Sequence, residues 1–133
     1  MEKYRIMVKG VVNNGGDYLL LQKWYDDRIE EPYQWEFPDG EVEFMESPAH
    51  AVERIVQDAA GITAETVRPL YTWHYCLGDT SVIGICYLLY ANADQDSVVI
   101  SENYTDSIWV SRMEFADYIK NEKLLNDIEK AEL

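Results

Sequence analysis

The segment from Trp35 to Ile62, WEFPDGEVEFMESPAHAVERIVQDAAGI, combines carboxylates and an arginine in an arrangement that suits phosphate chemistry. Glu46 precedes a helix-forming run, and Arg54 and Asp58 lie within that run, one helical turn apart. Carboxylate oxygens are the ligands that Mg²⁺ and Mn²⁺ prefer in proteins. The segment is therefore a candidate for binding a divalent cation.

A helix must position these side chains, and its two ends are marked in the sequence. Ser47 is a good N-cap, and Pro48 suits the first helical position because a missing N–H costs nothing there. Gly61 is a suitable C-terminal stop. These signals predict a helix from residue 48 to residue 60.

The faces of this helix follow from a rotation of about 100° per residue. One stripe along the helix contains Arg54, Ile55, Asp58 and Ala59. The core-facing arc contains Ala49, Val52, Val56 and Ala60. Within the stripe, Ile55 and Ala59 lie on the side nearest the core-facing arc. They therefore extend the apolar face of the helix. Glu53 lies across the axis from Ile55 and cannot take its place.

The segment resembles the Nudix box, the signature of the Nudix (MutT-like) hydrolase family. It matches the family pattern at Gly40, Glu46, Arg54, Val56, Gly61 and Ile62, and its WEFPDG resembles the family's WEFPGG. Three departures fall where the family has glutamates: Ile55, Asp58 and Ala59. A fourth is Asp39, which stands in place of a glycine. The box is therefore degenerate at the positions where the family has glutamates.

The resemblance implies an α/β protein with an α/β/α sandwich around a mixed sheet, as one domain over residues 1–133. It implies hydrolysis of a nucleoside diphosphate linked to another moiety, by metal-assisted attack of water. Since two of the three box glutamates are replaced, we expect weakened activity. The alternative is a catalytically inactive domain that binds a nucleotide-like ligand or a protein partner.

The resemblance also implies roles for individual residues. The metal ligands would be the carbonyl of Gly40 and the carboxylates of Glu46 and Asp58, and the catalytic residues would be Glu46, Arg54 and Glu102. With so few carboxylates, Mg²⁺ or Mn²⁺ is expected to bind weakly. Two simpler alternatives stay open: a salt bridge between Glu46 and Arg54, and a solvated loop containing Glu102 and Asp106.

Composition limits the class of ligand. The 133 residues include 25 acidic and 11 basic side chains, giving a formal charge of −14. Such a surface repels nucleic acid polymers and anionic membranes. The small phosphorylated or nucleotide-like ligand that the resemblance implies would need a local basic pocket. Candidates for a local basic pocket are Lys9, Lys23, Arg28 and Arg54. Candidates for ring stacking are Tyr25, Tyr33, Trp35, Trp73 and Tyr104. Of these we assign Lys23, Arg28 and Trp35 to substrate binding.

The rest of the chain predicts a mixed scaffold. Strands are expected at 4–12, 18–24, 66–77, 81–92 and 107–111, with one or two helices over 112–132. Trp35 and Phe37 alternate as in a short strand, and Pro38-Asp39-Gly40 suits a turn with left-handed backbone. Without an apolar run long enough to span a membrane or form a signal peptide, a cytoplasmic protein is expected, with a homodimer possible.

The two cysteines are expected to be reduced thiols. A two-residue turn at Gly78-Asp79 would set Cys76 opposite Ser81 in a hairpin. Cys86 would then lie about 17 Å along the strand from that point, beyond disulfide reach.

Overall fold

The computed structural model describes residues 2–24 and 32–133. In this part of the chain seven strands form one sheet. They are β1 (Lys3–Asn14), β2 (Asp17–Lys23), β3 (Gln34–Glu36), β4 (Asp39–Glu41), β5 (Glu65–Leu77), β6 (Thr80–Tyr90) and β7 (Tyr104–Val110). The helices are α1 (Pro48–Ala60), α2 (Phe115–Tyr118) and α3 (Glu122–Lys130), with 3₁₀ turns at Gln95–Ser97 and Arg112–Glu114.

The sheet is mixed, and β1 lies at its centre. The main strand order is β3-β2-β1-β6-β5, while β4 pairs with β1 and β7 pairs with β2. β1 and β6 are parallel, from Lys3 opposite Thr80 to Asn13 opposite Tyr90, and the other pairs are antiparallel. β1 therefore shares one end with β2 and the other with β4, which brings the start of the Trp35–Ile62 segment to the middle of the sheet.

Helix α1 has the bounds that its sequence predicts. The Ser47 hydroxyl accepts a hydrogen bond from the backbone N–H of His50 at 3.2 Å. Gly61 ends the helix in a left-handed conformation with φ of 69°, and its N–H donates to the Gln57 carbonyl at 2.8 Å. Both terminal signals are thus satisfied by local hydrogen bonds.

Two apolar cores lie on opposite faces of the sheet, which confirms the α/β/α arrangement. On one face, α1 packs through residues such as Val52 and Val56 against Val8 and Leu89. On the other face, the terminal helices pack through residues such as Phe115 and Ile128 against the sheet. The alternation of side chains along β1 and β6 supplies both cores at once.

The expected turn at Pro38-Asp39-Gly40 is wrong. Asp39 and Gly40 belong to β4, where they pair with Lys9 and Val8 of β1, and neither has positive φ. A side chain at Gly40 would bring its Cβ within 2.8 Å of Ile55 Cδ1. The close approach of the Ile55 side chain on α1 favours glycine here, and left-handed backbone plays no part.

The remaining elements differ from the prediction mainly at their ends. The 107–111 strand begins earlier, at Tyr104, because its pairing with β2 extends to Lys23 across a bulge. The 112–132 region is divided into a 3₁₀ turn and two helices. Among the described residues, no helix is long and apolar enough to cross a bilayer.

The β5–β6 hairpin follows its prediction closely. Cys76 pairs with Ser81 and Leu77 with Thr80, which leaves Gly78-Asp79 as the turn. Both cysteines are free; Cys76 is exposed and Cys86 is buried. The hairpin therefore keeps the two thiols apart.

Candidate functional site

Glu46 and Arg54 join the loop before α1 to the helix itself. The Arg54 guanidinium donates to both carboxylate oxygens of Glu46, at 2.8 and 3.0 Å. Arg54 Nη2 also donates to the carbonyl of Glu41 at 3.0 Å, and the Glu43 backbone N–H donates to Glu46 Oε1 at 3.1 Å. Of the two interpretations left open for Glu46, the structure shows the salt bridge.

These hydrogen bonds hold Glu46 in its ionised form. The bonds from Arg54, and then the backbone bond with Glu43, lower the pKa of Glu46 to about 2. The same pairing raises the pKa of Arg54. A carboxylate with so low a pKa and both oxygens engaged is a poor general base at neutral pH.

The low pKa predicts how stability changes with acid. The pKa of Glu46 is about 2 in the folded chain and near 4.5 when unfolded, so its contribution is present above pH 4.5 and is lost as the pH falls toward 2. Glu46→Gln should therefore lower the melting temperature at pH 7, measured by circular dichroism. Between pH 5 and 2.5, the melting temperature of this variant should decrease less than that of the parent chain. The exposed Glu129→Gln variant should retain the acid dependence of the parent. An unchanged profile in Glu46→Gln would contradict this role.

Ile55 and Ala59 occupy the helix positions that would carry two box glutamates. Their exposures are 6% and 5%, and both belong to the core beneath α1. Ile55 packs directly over Gly40. These positions are therefore part of the core, as the extended apolar face predicts. Asp58 is oriented differently, with a side chain 69% exposed and 3.6 Å from Arg54 Nη1.

The candidate metal ligands are not arranged as a ready cation site in the described part of the chain. Across residues 2–24 and 32–133, no three His, Cys, Asp or Glu side chains are arranged to hold one. Glu46 and Asp58 instead both face the Arg54 guanidinium. The assignment of Gly40, Glu46 and Asp58 as metal ligands stays a prediction.

The loop that carries Glu102 approaches the end of α1. The backbone N–H of Ser101 donates to the carbonyl of Ala59 at 3.0 Å, which places the exposed Glu102 near that turn of the helix. Asp106 does not lie in a loop as the simpler alternative expected: it belongs to β7, where it pairs with Gln22, and its carboxylate accepts from the backbone N–H of Ser107 at 2.8 Å. The loop geometry brings Glu102 near the box helix, and its catalytic role stays a prediction.

A buried charge cluster, consisting of Lys9, Lys23, Glu36 and Asp39, lies at the junction of β1 to β4. Lys23 Nζ is 2.7 Å from Asp39 and 3.2 Å from Glu36, whose second oxygen is 3.8 Å from Lys9 Nζ. All four side chains are at most 15% exposed. Since burying charges is costly, their mutual pairing is required to keep them inside the fold.

The structure thus brings together two of the four basic candidates. Lys9 and Lys23 share Glu36, whereas Arg54 lies on α1 with different carboxylate partners. Arg28 lies outside the described residues. Sequence patterns gave no indication that Glu36 would join the lysines, because its burial depends on how β3 pairs with β2.

A cavity of about 370 Å³ opens between β5 and α3, and we call it the β5–α3 cavity. Its floor and walls include Lys9, Glu36, Tyr71, Trp73, Asn121 and Asp127. The Trp73 ring lies flat against Gly84, where a Cβ atom would be only 2.0 Å from Trp73 Cε2. Lys9 Nζ lies 5.0 Å from the centre of the same ring, within cation–π range.

One row of paired residues crosses the sheet below this cavity. Asp39, Lys9, Cys86 and Tyr71 are successive neighbours on β4, β1, β6 and β5. The Tyr71 hydroxyl is buried without a hydrogen-bond partner, and burial raises its pKa. Burial also raises the pKa of the Cys86 thiol to about 12. Only strand pairing reveals this row, since its members are far apart in sequence.

Trp35 makes a packing contact with the terminal helices. Its ring meets that of Tyr118 edge to face, with centroids 5.8 Å apart. Trp35 is half-buried against the core on that face and does not line the β5–α3 cavity. Tyr25 lies outside the described residues, and of the other aromatic candidates Trp73 is the one that lines the cavity.

Comparisons with known proteins support the resemblance seen in the box. A model of the NUDIX domain matches residues 3–129. A curated RNA pyrophosphohydrolase from Hamiltonella defensa is 34% identical over 74 residues, covering 56% of this chain and 42% of that protein. The chain thus spans less than half of that relative.

Solved structures share the arrangement over nearly the full length. A MutT protein from Methanosarcina mazei Go1 is 26% identical, with a TM-score of 0.79 and coverage of 97% of this chain and 93% of that chain. A C. elegans Ap4A hydrolase binary complex matches at 22% identity and a TM-score of 0.72, covering 93% of each chain. The latter likeness concerns the fold alone.

Proposed function

The chain belongs to the NUDIX domain family, and from that premise we propose that it binds a nucleotide-like diphosphate compound and hydrolyses it slowly. Members of this family bind nucleotide-like substrates and use divalent cations. The observation that carries the proposal is an open cavity combined with an apolar box helix. Under this proposal the cavity supplies the binding part of the site, while two of the three box glutamates that would hold the cations are replaced.

The β5–α3 cavity supports the binding half of the proposal. Its volume of about 370 Å³ falls within the range of small-molecule sites, roughly 300 to 1,000 Å³. Trp73 offers a flat aromatic wall, and Asn121 and Lys9 offer polar groups beside it. Such a combination suits a planar ring held by stacking and a few hydrogen bonds.

The residues of helix α1 support the slow turnover that we propose. Even outer-shell changes at metal sites cost about 10- to 100-fold, and here Ile55 and Ala59 remove two direct ligands. Under this proposal Mg²⁺ or Mn²⁺ binds weakly through the Gly40 carbonyl, Glu46 and Asp58. Glu46 would have to give up part of its pairing with Arg54, which further lowers the affinity.

A small ligand suits the surface better than a polymer. The formal charge of −14 opposes the phosphate backbone of RNA, and the fully paired Lys23 offers no compensating surface patch. We therefore extend to this chain the diphosphate chemistry of its curated relative without the polymeric substrate.

The test is a panel of ADP, ADP-ribose and a dinucleoside tetraphosphate, with binding and turnover measured separately. Calorimetry with chelator present should show binding of at least one compound, and addition of Mn²⁺ should give slow phosphate-bond cleavage. Asp58→Asn should remove this residual turnover and leave binding intact. Asp117→Asn, an exposed change on α2, should alter neither quantity.

Two outcomes would contradict the proposal. If none of the compounds bound, the proposal that the chain binds a nucleotide-like diphosphate would be refuted. Rapid cleavage that is indifferent to Asp58→Asn would show that other groups supply the chemistry.

A further inference from the structure

Lys9 carries a buried ammonium group that faces the β5–α3 cavity without a hydrogen bond. Its side chain is 8% exposed and lines the cavity. Among the described residues, its contacts are the Glu36 carboxylate at 3.8 Å, beyond hydrogen-bond distance, and the Trp73 ring at 5.0 Å. An ammonium has three N–H donors and no acceptor. No acceptor among the described residues therefore lies within hydrogen-bond distance of this ammonium.

Tyr71 shows the same deficit in the same row of the sheet. Its hydroxyl is buried without a partner, and Cys86 is the residue between Tyr71 and Lys9 across the strands. Unsatisfied buried donors are rare because each costs the full desolvation of its group. The unpaired Tyr71 hydroxyl lines the same cavity as the Lys9 ammonium, which has no hydrogen bond, and this combination indicates that a ligand supplies an acceptor.

The surroundings favour a neutral acceptor over an anion. Glu36 and Asp127 line the cavity with Lys9, so a phosphate placed there would face two carboxylates. A carbonyl oxygen avoids this repulsion and still accepts from the ammonium. Trp73 lies over Lys9 and provides the surface on which a flat ring would stack.

Building on the proposed function, we propose that the β5–α3 cavity selects planar rings bearing a carbonyl oxygen that accepts a hydrogen bond from Lys9 Nζ. A ring with an amino group at that position would direct N–H donors toward an ammonium that has no lone pair. Lys9 is thus a specificity-determining residue that distinguishes oxo from amino heterocycles.

The test compares matched nucleotides that differ in this group: inosine with adenosine diphosphate, and uridine with cytidine diphosphate. Dissociation constants are measured by calorimetry in chelator, so cleavage cannot interfere. We expect the oxo member of at least one pair to bind at least about 10-fold more tightly, the scale of one hydrogen bond to a charged group. Lys9→Met should bring the ratio within that pair close to one.

The matched control is Lys130→Met, which removes one positive charge from the exposed end of α3, outside the cavity. It should retain the oxo preference. In Lys9→Met, Glu36 still has Lys23 at 3.2 Å, and circular dichroism would report whether the fold persists. Equal binding of oxo and amino forms by the parent chain would overturn the inference while leaving the proposed function standing. A preference that survives Lys9→Met would also overturn it, and binding of no nucleotide would instead refute the proposed function.

Discussion

Ile55→Glu combined with Ala59→Glu should make the thermal stability of this chain depend on manganese. Without metal, the variant should melt at a lower temperature, because two carboxylates enter positions that are about 5% exposed. Bound Mn²⁺ should reverse much of that loss, since a ligand at 100 times its dissociation constant stabilises by about 2.7 kcal/mol. Cleavage of whichever panel compound binds should rise by more than about 100-fold.

The matched control replaces the same two residues with glutamine. The amide side chains have nearly the same size and disturb the core similarly, but they do not supply the anionic oxygens that hard cations prefer. Scanning calorimetry with and without Mn²⁺ separates the two variants. Equal manganese responses from glutamate and glutamine would show that these helix positions do not face a metal site.

Gly84→Ala should destabilise the chain and remove ligand binding together. In most strands alanine is favoured over glycine by roughly 0.5 to 1 kcal/mol, because glycine loses more backbone entropy. Here the new Cβ would lie 2.0 to 2.3 Å from three ring atoms of Trp73. The ring must move, so we expect a loss of about 1 to 3 kcal/mol in the free energy of unfolding. Nucleotide affinity should fall at least about 10-fold, since the displaced ring is the cavity wall.

A double-mutant cycle with Trp73→Ala isolates the contact. Once the ring is absent, Gly84→Ala should cost little or become stabilising, so the two changes should couple strongly in urea unfolding. Additive effects would mean that Trp73 does not pack on Gly84 in solution.

Local sequence signals predicted the bounds of helix α1 and its buried face. Ser47, Pro48 and Gly61 set the bounds of α1, because capping depends on residues adjacent in sequence. The burial of Ile55 and Ala59 followed from helical periodicity alone. These features needed no knowledge of which strand lies beneath the helix.

Features that depend on distant pairing could not be predicted in this way. The strand at Asp39–Glu41 forms because β1 offers a free edge there, and an isolated Pro-Asp-Gly sequence favours a turn instead. The WEFPDG motif did not indicate that Glu36 would be buried beside Lys9, and Tyr71 belongs to no motif. Both are brought close to Lys9 by the arrangement of the strands. The polar groups of the cavity are thus brought together only by the tertiary fold.

The parallel pairing of β1 with β6 has a consequence for how the chain folds. β1 is synthesised before the other strands described here, yet its neighbour on one side is complete only at Tyr90. Until then the β1–β2 hairpin has an open edge, and closing the intervening loop costs chain entropy before any pairing is gained. Because Lys9 lies on that edge, the floor of the cavity can be assembled only late in folding.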